Sequence, residues 1–138
     1  MYTVTKTIPH SFGLSVCFRQ HTAQGHCRLL HGYALEIVFV MKAETLDDNW
    51  VVDFGSFGPV KTWLREQFDH TTLVSTADPQ LPLFKDMEQA GLVRLVELPD
   101  VSCERFAEHI FNHVKTMVPH LYSVEVREHE GNGAKFCG

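Results

Sequence analysis

Between His31 and Met41 the chain reads His-Gly-Tyr-Ala-Leu-Glu-Ile-Val-Phe-Val-Met, dense in β-branched and aromatic residues and free of proline. A run of this kind is a strand rather than a helix. Just before it, Phe12, Leu14, Val16 and Phe18 alternate with Gly13, Ser15 and Cys17, the period-two signature of a second, half-buried strand. A polar loop from about Arg19 to Arg28 joins them, so the two are expected to pair antiparallel. A turn at Thr45–Asn49 then lets Trp50-Val51-Val52-Asp53 extend the sheet.

From Ser56 the period changes. Phe57, Val60, Leu64 and Phe68 recur at helical spacing, with Ser56 as N-cap and Pro59 in the first turn. A short helix is expected over Leu83–Ala90, closed by Gly91, followed by a strand over Leu92–Leu98. Ser102 caps a further helix whose apolar face carries Phe106, Ile110, Phe111 and Val114. Tyr122, Val124, Val126 and Glu128 form the inward set of a last strand. The class is α+β: an antiparallel β-sheet with helices on one face. Such a sheet leaves open edges, which favours a homo-oligomer.

The 138 residues suit one domain spanning 1–138, without repeat or linker. A net charge of −5 supplies no global basic field for nucleic acid. No apolar run approaches the ~20 residues of a membrane span, and Met1–Gly13 lacks a secretory signal. A cytoplasmic location is expected. Cysteines 17, 27, 103 and 137 form no Cys-x-x-Cys pair and are expected as free thiols.

Residues 17–33 concentrate chemistry: Cys17, Arg19, His21, His26, Cys27, Arg28, His31 and Tyr33. On a strand His31 and Tyr33 share a face and can present two ligands to one ion. Cys27 lies among histidines and arginines, a setting that favours the reactive thiolate. The plainer alternatives are an inert loop thiol, surface histidines, and Tyr33 as packing for Leu35, Ile37 and Phe39. Cys17 and Cys103 read as small buried hydrophobes. In Asp69-His70 a carboxylate can orient an imidazole. Glu128 stands where alternation expects an apolar residue, and an N–C–N edge would offer its carboxylate two parallel donors. Otherwise the strand ends there and Glu128 is solvated.

Taken in order, these pieces resemble the 6-pyruvoyl-tetrahydropterin synthase and 6-carboxytetrahydropterin synthase superfamily. Cys27-Arg28-Leu29-Leu30-His31-Gly32-Tyr33 is similar to its cysteine, three residues, His-Gly-His. Trp50-Val51-Val52-Asp53-Phe54 resembles its apolar strand ending in Asp-Phe, and Asp69-His70 its Asp-His pair. Val101-Ser102-Cys103-Glu104-Arg105 resembles its Pro-Thr-x-Glu-Asn helix start, and Glu128-His129 its last-strand Glu-Thr.

The resemblance implies the tunnelling fold (T-fold), in which strands of several subunits close barrels, commonly trimers stacked as hexamers, with active sites between subunits. It implies a lyase acting on 7,8-dihydroneopterin triphosphate. The product would be 6-carboxytetrahydropterin, on the path to queuosine, or 6-pyruvoyl-tetrahydropterin. Cys27 would abstract a proton, Asp69 and His70 would relay it, and Glu128 would anchor the pterin and join the relay. Glu104 would support the site. Charge and location suggest Arg19 and Arg28 as triphosphate contacts. Family members hold zinc with three histidines; here the matching positions are His31, Tyr33 and Cys17. Tyrosine is a poor zinc ligand beside cysteine, histidine or carboxylate. Two outcomes stay open, a remodelled Zn2+ site and the loss of zinc. The alternative function is a metal-depleted pterin- or purine-binding protein without the parent activity.

Overall fold

The computed structural model describes residues 1–138. In chain order its strands are β1 Tyr2–Ile8, β2 Leu14–Phe18, β3 His31–Ala43, β4 Thr71–Ser75, β5 Leu95–Leu98, β6 Leu121–His129 and β7 Asn132–Cys137. The helices are α1 Gly58–Phe68, α2 Leu81–Gln89 and α3 Cys103–Val114.

β3 is long enough to take two partners along one edge. Its first residues pair antiparallel with β2, Phe18 opposite His31 and Leu14 opposite Leu35. Its remainder pairs antiparallel with β1, from Ile8 opposite Ile37 to Tyr2 opposite Ala43. The other edge of β3 carries β6, and β7 folds back onto β6. This is the antiparallel sheet the alternation predicts. β4 joins β2 and β5 joins β4 in parallel, giving the order β5-β4-β2-β3-β6-β7.

Period two decides which side is buried. Leu35, Ile37, Phe39 and Met41 of β3 are fully buried, as are Leu14 and Phe18 of β2. They form one core with Val60, Leu64 and Phe68 of α1 and Phe106, Ile110 and Val114 of α3. Phe106 meets Phe18 edge-on at 5.0 Å and Phe68 at 5.8 Å, the arrangement that aromatic quadrupoles favour. Ser102 caps α3 as expected, its Oγ accepting from Arg105 N at 3.1 Å.

Three expectations need correction. Residues Trp50–Asp53 are not a strand: Trp50 closes a tight turn with Asp47, and Val51 and Val52 plug the core. Their apolar character comes from that burial, not from a sheet. Ser56 is not the N-cap of α1, because its hydroxyl donates to Asp53 O at 2.6 Å within a 3-10 turn, Phe54–Phe57. α2 begins earlier, at Leu81, and β5 later, at Leu95, while Gly91 holds the positive φ of 78° that ends α2. No helix is long and apolar enough to cross a membrane.

Candidate functional site

The mouth of the site is set by the β2–β3 register. Cys17 lies opposite Gly32, and a Cβ at Gly32 would stand 2.5 Å from Val16 O. Only glycine allows the strands to come this close. The neighbours on either side, His31 and Tyr33, turn towards Phe18, with ring centroids at 4.7 Å and 6.2 Å. His31 Nδ1 lies 2.7 Å from Leu29 O. A carbonyl can only accept, so Nδ1 is the donor in this contact.

Glu128 is delivered by an irregularity. The β6–β7 pairing shifts between Arg127 and His129, and Glu128 falls in the break. It lines a cavity of about 190 Å³ with Gln20, Cys103, Glu104, Asn132 and Gly133. Gln20 N in turn donates to Cys27 O at 2.8 Å, so the Cys27 turn sits at the rim. Tyr33 is close enough to register the group electrostatically. Burial, then the negative charge of Glu128, then Cys27 and Cys103, push its phenol up, so it remains a proton donor. Glu104 and Glu128 thus line one cavity from distant parts of the sequence, and Tyr33 lies within electrostatic reach of both Glu128 and Cys27.

Of the four thiols, two are kept protonated. Burial pushes Cys17 up against a hydrogen bond with Thr72. Burial, then Glu128, push Cys103 far up. Cys27 is exposed on a 3-10 turn, His26–Arg28. Cys103, Gln20, Asn132 and Gly133 had no signal of their own in the sequence, although Cys103 stands between two recognised residues, Ser102 and Glu104.

Asp69 and His70 lie elsewhere, at the entry to β4, with His70 N bonded to Ser15 O at 2.7 Å. His70 takes the left-handed φ of 54°. Its Nδ1 donates to Asp69 Oδ1 at 2.8 Å, and its ring is 85% exposed, with no protein partner for Nε2. Burial would raise Asp69, but bonds from His70, Ser15 and Arg65 outweigh it and hold the carboxyl below its ordinary range. Within one chain this pair sits beside the start of β2, whereas Cys27 lies on the turn that follows the end of β2, so the length of β2 separates them.

Two substrate-contact expectations change. Arg19 is not free for phosphate, since its guanidinium is bonded to Asp78 and to Arg28 O. Arg28 is exposed and borders an apolar hollow with Leu29, Leu30, Leu83, Phe84 and Met87, away from Glu128.

The expected ligand set is split by strand alternation. His31 and Tyr33 face Phe18, whereas Cys17 projects to the opposite side of β2 with Thr72. A catalytic zinc site takes three protein ligands of the cysteine, histidine or carboxylate type. No three such side chains converge to hold a metal ion. These residues do not fit zinc.

An α+β sheet of this order, with helices on one face, is the architecture of the T-fold pterin synthases. The 6-pyruvoyl tetrahydropterin synthase of Caenorhabditis elegans superposes with a TM-score of 0.68 at 17% identity, covering 99% of this chain and 95% of that one. The Plasmodium vivax enzyme gives 0.70 at 14%, covering 99% and 98%. An uncharacterized protein from Wolinella succinogenes gives 0.84 at 19%, also over 99% and 98%. At such identities these likenesses establish the fold.

The chain belongs to the 6-pyruvoyl tetrahydropterin synthase family, whose sequence profile matches residues 7–138. A probable 6-carboxy-5,6,7,8-tetrahydropterin synthase of Halobacterium salinarum is 28% identical over 86 residues. That match covers 62% of this chain and 55% of the relative, so it spans about half of the relative's length.

Proposed function

We propose that the protein is a lyase acting on 7,8-dihydroneopterin triphosphate and forming 6-carboxytetrahydropterin, with Cys27 as the base and Glu128 as the pterin anchor. The observation that carries the reading is the Glu128 pocket itself, a carboxylate-lined cavity whose Gln20 is bonded to the turn carrying the exposed Cys27. Glu128 would accept the two parallel N–H donors of the amino-pyrimidine edge, with Glu104 beside it. The Cys27 thiolate would take a proton from the substrate side chain, and the C–O electrons would leave with triphosphate. Tyr33, held protonated, would donate to an oxygen on which charge develops.

The relay is completed between copies of the chain. His70 presents an unpartnered Nε2 outward, which suits an imidazole that meets the Cys27 thiol of a neighbouring protomer in a homo-oligomer, a trimer or hexamer. No step is assigned to a metal. The test is release of triphosphate and acetaldehyde from 7,8-dihydroneopterin triphosphate by the purified protein, before and after chelation. Turnover that survives chelation, is lost in Cys27→Ala, and is weakened through KM in Glu128→Gln is expected. Triphosphate release without acetaldehyde would indicate the 6-pyruvoyl product instead.

The split ligand set favours a second reading, a pterin- or purine-binding protein without turnover. Calorimetry then shows binding that Glu128→Ala abolishes, with no triphosphate released.

A further inference from the structure

The loop that carries Cys27 is closed at its neck by two contacts. Gln20 N donates to Cys27 O at 2.8 Å, and Arg19 Nη1 donates to the next carbonyl, Arg28 O, at 3.1 Å. The rest of the Arg19 guanidinium is committed to one carboxylate. Nε reaches Asp78 Oδ2 at 2.8 Å and Nη2 reaches Asp78 Oδ1 at 2.7 Å. The Asp78 side chain is only 1% exposed. Its Oδ1 also accepts from Gln80 N at 2.9 Å, and its backbone closes the turn between β4 and α2 through Ser75 O and Leu81 N.

A guanidinium is planar and rigid, so gripping two of its nitrogens fixes where the third points. Here it points at the carbonyl that follows Cys27. Exposed ion pairs contribute little because water and side-chain freedom compete with them. This one is bidentate, shielded from water, and ties segments that are 59 residues apart in sequence. We infer that Arg19 and Asp78 are positioning residues that form a strut holding the Cys27 turn at the rim of the Glu128 pocket. Neither need touch substrate. The inference deepens the reading of Cys27 as the base and rests on it for its catalytic consequence.

Asp78→Asn keeps the side chain's shape and removes the charge that grips the fork. Arg19→Lys keeps the charge and removes the fork, and serves if the first variant does not fold. Both are studied as full chains by amide hydrogen exchange and by steady-state turnover of 7,8-dihydroneopterin triphosphate. The expected result is faster exchange, by about tenfold or more, at Gln20, Arg28 and Leu29, with α1 and α3 unchanged. kcat should fall on the order of 10- to 100-fold, as small misplacement of a reacting group does, with KM held within about twofold. Wild-type exchange in this loop in both variants overturns the strut. Faster exchange with unaltered kcat overturns its positioning role. Wild-type turnover by Cys27→Ala would instead remove the base assignment while leaving the exchange result intact, so the two failures are told apart.

Discussion

Each end of β4 carries a carboxylate paired with a cationic or titratable partner, and the two pairs differ in where water can reach. At the entry, Asp69 holds His70 with the imidazole 85% exposed. At the exit, Asp78 holds Arg19 with side-chain exposures of 1% and 22%. The first partner is an imidazole, whose nitrogens can donate or accept; the second is a guanidinium, which only donates. An exposed imidazole with one nitrogen fixed is equipped to pass protons. A shielded fork is equipped to keep geometry. The same short strand therefore separates an exposed imidazole with one free nitrogen from a shielded guanidinium with its nitrogens engaged.

The comparison breaks if the thiol at the rim is not the partner of the outward pair. Cys27→Ala should lower turnover by about 10²- to 10⁴-fold, the usual range for a lost general base. Pterin binding measured by calorimetry should remain. Next in size is the contrast in stability. Asp78→Ala leaves a guanidinium unpaired at a shielded position and should cost about 3 kcal/mol in urea unfolding; Asp69→Ala should cost about 1 kcal/mol or less.

The sign of the acid dependence follows from the same pair. The Arg19 hydrogen bond, opposed by burial, holds the Asp78 carboxyl below its ordinary value of 3.8. A depressed folded value stabilises above the unfolded one, and that stabilisation is lost as pH falls through the folded value. Melts of Asp78→Asn between neutral pH and about pH 3 should therefore show a shallower loss on acidification than wild type. An identical slope would mean that Arg19 does not read the charge.

Mixing sharpens the outward half. His70→Ala should lose about 10²-fold in turnover. Refolded together with Cys27→Ala subunits, it should regain activity that neither shows alone, because some sites then receive His70 from one copy and Cys27 from another. A mixture as inactive as its parts would place the relay within one chain. A comparably small effect is expected at the start of α3, where Ser102→Ala should cost about 1 kcal/mol of stability, readable as a lowered Tm with KM unchanged.

How much of this could be read from residue order depends on how local the cause is. β2 and β3 were legible because alternate residues face one core. α3 was legible because Ser102 and the Phe106–Ile110–Val114 stripe are local signals. β1 was hidden because the threonines of Tyr2–Ile8 leave only Val4 and Ile8 turned towards the core. β4 is buried on both faces, so it shows no alternation at all. The pterin-family motifs marked Cys27, Asp69, His70, Glu104 and Glu128, of which Glu104 and Glu128 line one pocket while Cys27 is tied to its wall through Gln20. The ligand set containing Cys17 required the register between two strands, which spacing alone does not specify. Arg19 looked available because its partner lies so far along the chain.

Gly32 carries a consequence for redesign. With no side chain there, β2 and β3 keep a set separation, and Val16 stands directly opposite Tyr33 on the helix-covered side. An imidazole installed at 16 would face one installed at 33 across that gap, with His31 next along the same side of β3, giving three nitrogen donors on one side. Any residue but glycine at 32 would pry the strands apart and undo the graft before an ion could reach it.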